Sequence, residues 1–200
     1  GDTGDGIKML RGLGVEPDPQ RMFVSIFGPK HHPFNNSIAD FALEPVFPQI
    51  GSKGRRWFNE ELGIMQGTDI FLQQEKQISW AIMQYDMIKA VAESYAVNPA
   101  FSNKKHFYAT WEADLDEESR LDTPVKKADT LSELAVLMGV DPQVFVDEIQ
   151  RYNEFCRSGA DTDFGKDARL LKEIPMDKGP YYAVYGQCFS ECAMGGVRVN

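Results

Sequence analysis

The strongest helical pattern of the chain lies between residues 130 and 139. Leu131, Leu134 and Met138 recur at the spacing that places apolar side chains on one face of a helix. Thr130 and Glu133 form the capping box that marks a helix N-terminus, and a glycine directly after Met138 marks its end. The pattern therefore predicts a short amphipathic helix.

A second helical pattern follows at once. Asp141 is a typical N-cap residue and Pro142 suits the first helical position, so a new helix is predicted to begin there. The apolar residues of this helix are Phe145, Ile149, Tyr152 and Cys156. They share one face, which predicts that this face is buried.

The other apolar stretches are short and rich in β-branched and aromatic residues, which is typical of strands. The predicted strands are RMFVSIFG (21–28), QISWAIMQYDMI (77–88), PVKKAD (124–129), GPYYAVYGQCF (179–189) and MGGVRV from residue 194. A short helix is predicted at 6–14, and the chain is predicted to turn helical after Asp86. Short strands mixed with helices predict an α+β domain with a small mixed sheet.

Two stretches carry no strong element signal. Four prolines within residues 29–49 argue against a long helix or strand there. Residues 98–124 are polar and contain an acidic run, which is expected to be a solvated face. No G-x-G-x-x-G motif follows a strand and opens a helix, so a Rossmann sheet is not indicated.

Composition and charge narrow the function classes. The chain has 200 residues, 42% hydrophobic and 26% charged, as in globular proteins. Its net charge of -9 argues against nucleic acid and anionic membranes as main partners, because both attract cationic proteins. No apolar run approaches the roughly 20 residues of a membrane-spanning helix.

Cysteines and histidines offer little chemistry on their own. Three cysteines, Cys156, Cys188 and Cys192, are too few for a disulfide framework. Cys188 and Cys192 lack a second Cys or His pair nearby, so plain thiols are favoured over a zinc site and no metal is predicted. His31 and His32 stand in a proline-rich loop, where they are either solvated or able to supply an acid or a metal ligand.

Two glycine-rich stretches are candidates for cofactor contacts. GDTGDG at residues 1–6 has glycines whose backbone N–H groups can approach a phosphate or a flavin; a plain turn is the alternative. The adjacent Gly195 and Gly196 allow a planar ring to lie against the backbone, with Cys192 close in sequence. Here the alternative is a turn between two strands.

The stretch GSKGRRWFNEELGI (51–64) concentrates charge between apolar segments. Arg55 and Arg56 beside two glutamates predict, by themselves, a surface ion-pair cluster that contributes little stability. The adjacent Trp57 and Phe58 are expected to anchor the segment to a core.

Five motifs, taken in order, resemble one family. They are GDTGDGIKM, GRRWFNE, VKKADTLSELAVLMGVDPQVFVDEIQRYNEFCRSGADTDFGKD, PYYAV and MGGVRVN. The set resembles the FAD-dependent fumarate reductase / succinate dehydrogenase flavoproteins, which include flavocytochrome c fumarate reductases, 3-oxosteroid dehydrogenases and urocanate reductases. The family pattern G-x-R-[FW]-x-N-E is met by Gly54, Arg56, Trp57, Asn59 and Glu60. The resemblance is weakest in residues 64–120.

The resemblance implies a capping domain from a longer protein, without the Rossmann-type FAD half. Residues 1–20 and 186–200 would flank it as segments of the FAD-binding domain, and 21–185 would form the capping, or substrate, domain. FAD is then the implied cofactor of the full protein, although tight binding to this chain is not expected because the pyrophosphate loop is absent from it. The implied flavin contacts are Thr3, Gly4, Asp5, Gly6, Met194 and Gly195.

The resemblance also implies a substrate pocket at Asn59, Glu60 and Ile64. Fumarate reductases of the family have a proton-delivering arginine where this chain has Ile64, and a carboxylate-binding histidine where it has Cys192. Isoleucine donates no hydrogen bond, so fumarate is not the expected substrate.

The proton donor is open among three candidates, Cys192, Tyr182 and His32. The resulting hypothesis is the lid of an FAD-dependent oxidoreductase that acts on the C=C or C–C bond of an enoate or enone. Its direct partner would be its own FAD-binding domain; the electron donor is unassigned. The alternative is a non-catalytic lid of a flavoprotein that binds a ligand or transfers electrons. Both the bacterial cytoplasm and the periplasm or export stay open as locations.

Overall fold

The structure, a computed structural model, describes residues 5–16, 22–29, 42–97, 105–120 and 124–194. The description leaves out the side chains at 22–29, 63–65, 95–97, 105–109 and 189–194. Its helices are α1 (Asp5–Gly12), α2 (Gly63–Leu72), α3 (Tyr85–Val97), α4 (Lys105–Arg120), α5 (Leu131–Met138) and α6 (Pro142–Ser158). Its strands are β1 (Met22–Pro29), β2 (Gln49–Gly51), β3 (Ser79–Gln84), β4 (Val125–Ala128) and β5 (Tyr181–Met194).

The strands form one sheet in the order β1-β5-β3-β2, and β4 also pairs with β5. The pairs β2–β3, β3–β5 and β4–β5 are antiparallel. Tyr182 of β5 lies opposite Met83 on one side and Lys127 on the other. This mixture of helices and an antiparallel sheet confirms the predicted α+β class.

Strand β5 differs from its prediction. The sequence suggested one strand that ends near residue 189 and a new one from residue 194. The structure instead has a single strand of 14 residues, Tyr181–Met194. The strand continues past residue 189, because neither a proline nor a glycine interrupts residues 187–194. The second strand, predicted to follow the Gly–Gly turn, falls on residues 195–200, outside the described residues.

Strand β3 is buried on both faces, which explains its unbroken apolar run. Trp80 and Ile82 belong to the core beneath α5 and α6. Ala81 and Met83 belong to a second core, which contains residues of α3 and α4. The sheet is therefore covered by helices on both sides.

The two helices with clear caps form as predicted. The Thr130 hydroxyl accepts from the Glu133 backbone N–H at 3.2 Å, and the Glu133 carboxylate accepts from the Thr130 N–H at 3.1 Å. Gly139 ends α5 with a φ of 72°. The Asp141 carboxylate accepts from two N–H groups of the first turn of α6.

Two helices were missed. Helix α4 lies in the stretch that was expected to be a solvated polar face. Its Trp111 and Leu115, four residues apart, are buried in the second core and hold the helix against α3. Helix α2 follows the charged stretch and has no side-chain cap at Leu62.

The chain divides into two compact units, Gly1–Ile26 with Phe189–Asn200, and Phe27–Cys188. The predicted domain bounds at 20 and 185 stay a prediction. In the first unit, α1 forms where the sequence predicted a helix. No helix within the described ranges has the length and the apolar character to cross a membrane.

Candidate functional site

The G-x-R-[FW]-x-N-E segment connects strand β2 to helix α2. Gly54 has a φ of 73°, a conformation that favours glycine, and its N–H donates to the Gly51 carbonyl at 3.0 Å. This turn brings Arg56 back beside Ile50, with which it forms an isolated β-bridge. The turn thereby directs the Arg56 side chain into the domain.

Arg56 is buried, with a side chain only 1% exposed. Its Nε and Nη2 donate to the two Glu60 oxygens at 3.1 and 2.8 Å, a bidentate pair. Nη2 also donates to Asp161 Oδ2 at 3.0 Å. The predicted surface ion-pair cluster is therefore wrong for Arg56, because its carboxylate partners are themselves buried.

Lys166 completes the charge network. Its ammonium lies 3.3 Å from Glu60 Oε2 and donates to the Tyr152 hydroxyl at 3.3 Å, and its side chain is fully buried. The Gln49 N–H donates to Glu60 Oε1 at 3.0 Å, which ties the network to strand β2. Two cations and two carboxylates thus balance inside the domain.

Aromatic rings frame the Arg56 guanidinium. Its carbon lies 5.0 Å from the centre of the Tyr152 ring and 5.1 Å from that of Phe164. These distances suit cation–π contacts. Arg56 Nη1 has no hydrogen-bond partner among the described residues. A bound water would satisfy this donor.

The charge network shifts the pKa values of its members. Burial works against the charge of Arg56, but the Glu60 and Asp161 carboxylates outweigh it and raise the pKa of Arg56. Burial would raise the pKa of Asp161, yet the hydrogen bond from Arg56 lowers it overall. Burial lowers the pKa of Lys166, and the nearby Glu60 only partly offsets this effect.

Asn59 caps the entry to helix α2. Its Oδ1 accepts from the Glu61 N–H at 2.9 Å, within the 3₁₀ turn Glu60–Leu62 that leads into the helix. Its Nδ2 donates to the Phe164 carbonyl at 3.3 Å. Asn59 therefore supplies the cap that Leu62 lacks.

The aromatic pair of the motif supports the body of helix α2. Trp57 and Phe58 stack at 3.9 Å, and the Trp57 indole N–H donates to Ser79 Oγ at 2.9 Å. The Phe58 ring lies so close to Gly67 that a Cβ there would be 2.9 Å from it. Residues 56–60, here named the α2 anchor, thus fix the start and one face of this helix.

The predicted substrate-pocket residues meet at the same place. Glu60 has its carboxylate engaged in the buried network, and Asn59 has its amide engaged in the cap. Ile64 is the second residue of α2, and its side chain lies outside the description. Contact of these three residues with a substrate stays a prediction.

Tyr182 lies apart from the α2 anchor. It is 2% exposed in the second core, whereas Arg56 contacts Tyr152 of α6, which belongs to the first core. Burial raises the pKa of Tyr182 to about 12. A proton donor must reach its substrate, and the described surroundings of Tyr182 are core residues.

The other sequence candidates are less well defined. Cys192 and Met194 stand on β5, but their side chains lie outside the description. His32, Thr3, Gly4 and Gly195 are outside the described residues. The half-buried Cys156 is a free thiol whose pKa burial raises to about 11, which makes it a poor nucleophile. Among the described residues no group of three His, Cys, Asp or Glu side chains could hold a metal.

Two predicted flavin contacts are described, at the start of α1. Asp5 pairs with Lys8 at 3.0 Å, and among the described residues no atom lies within 4 Å of where a Cβ of Gly6 would be. Contact of these two residues with a flavin stays a prediction. Both residues belong to the unit that also contains the C-terminal residues 189–200.

Sequence reasoning missed Asp161 and Lys166 as members of the site. Both lie in GADTDFGKD, a loop whose charges have no periodic pattern. The available signal was Gly165 between Phe164 and Lys166, which permits the observed φ of 72° and turns Lys166 inward. The ion-pair partner of that lysine, Glu60, lies far earlier in the chain, and no local rule identifies it.

Solved structures share this fold. The open conformation of a flavocytochrome c3 fumarate reductase matches 99% of the chain at a TM-score of 0.63 and 21% identity, over 30% of its own length. A 3-ketosteroid Δ1-dehydrogenase from Sterolibacterium denitrificans matches the whole chain at a TM-score of 0.67 and 18% identity, over 37% of its own length. These likenesses show that the chain has the fold of a segment of each of these larger proteins.

The family follows from the sequence. The family model described as "FAD binding domain" matches residues 1–200, and the chain belongs to this family, whose cofactor is FAD.

Curated relatives are larger proteins. Digoxin reductase of Eggerthella lenta is 38% identical over 90% of the chain and 32% of its own length. A probable fumarate reductase of Shewanella frigidimarina is 25% identical over 99% of the chain and 29% of its own length. The vinyl phenol reductase of Lactiplantibacillus plantarum is 33% identical over 44% of the chain and 18% of its own length. The chain thus spans about a third or less of these relatives.

Proposed function

We propose that the chain is the substrate-capping domain of a longer FAD-dependent reductase. The reaction is reduction of a C=C bond, with hydride added to one carbon and a proton to the other. The substrate is an uncharged enone or a singly charged enoate rather than a dicarboxylate.

One observation carries the proposal. Position 64 is isoleucine, at the start of a helix that the α2 anchor fixes through a buried charge network. An arginine there would donate several charge-assisted hydrogen bonds to a carboxylate, and isoleucine donates none. The start of helix α2 is therefore fixed by buried charges, whereas its second residue is apolar.

The names of the relatives support the reaction class. They include digoxin reductase, urocanate reductase and NADH:acrylate oxidoreductase. Acrylate and urocanate are α,β-unsaturated carboxylates, and digoxin carries an unsaturated lactone. In each, the carbonyl makes the C=C bond a hydride acceptor. Acrylate has one carboxylate and digoxin has none, as expected for a site without the arginine.

The roles of the chain's own residues follow. When bound, FAD supplies the hydride chemistry. Thr3, Gly4, Asp5, Gly6, Met194 and Gly195 would hold it. The capping domain covers the substrate and excludes water, and the α2 anchor orients the residues that meet the substrate. The proton comes from Cys192, His32 or Tyr182.

The sequence also favours a second candidate, a non-catalytic lid. Ile64 and Cys192 replace both charged residues of the family's fumarate reductases. Substrate-dependent reoxidation of the reduced flavin indicates the enzyme, and reoxidation by oxygen alone indicates the lid.

The test uses the full-length protein loaded with FAD. With a dithionite-reduced dye as electron donor, it is assayed against fumarate, acrylate, an aromatic enoate and a steroid enone. We expect turnover of at least one substrate with a single or no carboxylate, and little with fumarate. Activity with none of them would refute the enzyme, and fumarate as the best substrate would refute the assigned class.

A further inference from the structure

The loop at residues 161–167 is joined to the α2 anchor although 105 residues separate Arg56 from Asp161. Two ion pairs and two further hydrogen bonds join the loop to residues 56–61, and the Phe164 ring also lies 5.1 Å from the Arg56 guanidinium. The contacts are Arg56–Asp161 at 3.0 Å, Lys166–Glu60 at 3.3 Å, Asn59 to the Phe164 carbonyl at 3.3 Å, and Glu61 to the Asp167 N–H at 2.7 Å.

The loop has its own internal support. Asp161 Oδ1 accepts from the N–H groups of Asp163 and Phe164, and Oδ2 accepts from the N–H of Lys166. One carboxylate therefore shapes the loop and also holds Arg56. The loop follows α6 directly, so its position is set by the first core.

The contacts converge on the few residues that lead into helix α2. Asn59, Glu60 and Glu61 each contact the loop, and helical geometry begins at Glu60. Leu62 supplies no side-chain cap and Asn59 caps the preceding 3₁₀ turn, so the loop contacts add tertiary support to a helix start that has one local cap. Ile64 lies within the next turn.

We propose that residues 161–167 act as a clamp on the start of α2, with Asp161 and Lys166 as positioning residues for position 64. The clamp acts on substrate only through the residues of α2 that it fixes. This inference rests on the proposed function for its effect on turnover, but its structural part is testable without turnover.

The structural test is hydrogen exchange of the full-length, FAD-loaded protein. Asp161→Asn and Lys166→Met are compared with Arg157→Ala, which removes an exposed ion pair to Glu173 from the neighbouring α6. In the clamp variants we expect amide exchange at residues 60–66 to rise about tenfold or more, because a buried charge loses its partner. Exchange in α5 and the control variant is expected to stay near wild type. Lys166→Arg should restore much of the protection.

Exchange that rises uniformly across residues 27–188, or that does not change at 60–66, would overturn the clamp. Should both buried-charge variants fail to fold, Glu61→Ala takes their place, since it removes an exposed member of the clamp. It is expected to raise exchange at the same amides by less, and no change there would count equally against the proposal.

The kinetic test separates the two hypotheses. Clamp variants that keep full FAD content are expected to lose kcat/KM for the preferred substrate, with the loss in kcat greater than the change in KM. If amide exchange rises only at residues 60–66 but neither wild type nor any variant has activity, the proposed function is refuted and the clamp stands. Activity that the clamp variants share fully with wild type would refute the positioning role and leave the proposed function standing.

Discussion

Two charge-rich regions of this chain use their charges in opposite ways. In the α2 anchor and the 161–167 loop, Arg56 and Glu60 are almost completely buried and pair with each other. In helix α4, Arg120 pairs with Asp116 in the same i,i+4 spacing, but both side chains are largely in solvent. A pair with the same spacing therefore fixes a helix start in one region and lies on the surface in the other.

The difference comes from what surrounds each pair. Besides the nearby Glu60, Arg56 meets two aromatic rings and the Asp161 carboxylate, all three supplied by distant segments. Helix α4 buries Trp111 and Leu115 on one face and leaves the Arg120–Asp116 pair exposed to solvent. A spacing of four residues in the sequence thus shows that two charges can pair, and only the rest of the fold determines whether the pair is buried.

Removal of Arg56 gives the largest expected effect. Arg56→Met leaves the Glu60 and Asp161 carboxylates buried with only Lys166 as counter-charge, and we expect a loss of about 3–5 kcal/mol in unfolding free energy. Arg120→Met is the matched control and should change little, because its pair is exposed. Urea unfolding followed by tryptophan fluorescence measures both, and equal losses would contradict the distinction.

A methyl group added at Gly67 is expected to lower the unfolding free energy by less than the loss of Arg56 does. Gly67→Ala places a methyl against the Phe58 ring, and we expect a net cost of about 1–2 kcal/mol despite the better helix propensity of alanine. In a Phe58→Leu background the same change should cost less, since the ring that it meets is gone. Urea unfolding of the four proteins of this cycle gives the coupling energy, and a coupling near zero would place Phe58 away from α2.

The capping box of α5 provides a local reference for these tertiary effects. Thr130→Ala removes the acceptor for the Glu133 N–H and is expected to cost about 1 kcal/mol. Ser132→Ala, at an exposed position inside the same helix, should be neutral or slightly stabilising. Thermal unfolding compares the two, and a larger loss for Ser132→Ala would argue against the cap.

The pH dependence of stability also distinguishes the buried network from the exposed pair. The pKa of Asp161 lies below its usual 3.8, so its contribution to stability is present above that value and is lost as the pH falls through the lower folded-state pKa. Asp161→Asn should therefore flatten the decline of stability below pH 3.8. Since 1 M NaCl screens exposed pairs more than buried ones, the difference between the two proteins should persist in high salt. Urea midpoints from pH 2 to 5 test this, and parallel pH curves would contradict it.

The sequence predicted those features whose causes are local. The capping box at Thr130, the Asp141 cap and the apolar face of α6 require only neighbouring residues, and each was confirmed. Helix α4 was missed because five acidic residues obscured two buried apolar ones, Trp111 and Leu115. The buried state of Arg56 was missed because Asp161 and Lys166 reach it from a distant loop. The motif could thus be identified in the sequence as a candidate site, but the contacts that hold it in place depend on the folded chain.

The most direct test of the account is the selectivity of the full-length enzyme at position 64. We would measure kcat/KM for acrylate and fumarate in wild type and in Ile64→Arg, both loaded with FAD. The account predicts that wild type prefers acrylate and that the arginine shifts the ratio toward fumarate, by about tenfold or more, because a cationic donor at position 64 favours the dianionic substrate over the monoanionic one. A wild type that prefers fumarate, or a ratio that the substitution leaves unchanged, would contradict the claim that the anchored start of α2 sets the substrate class.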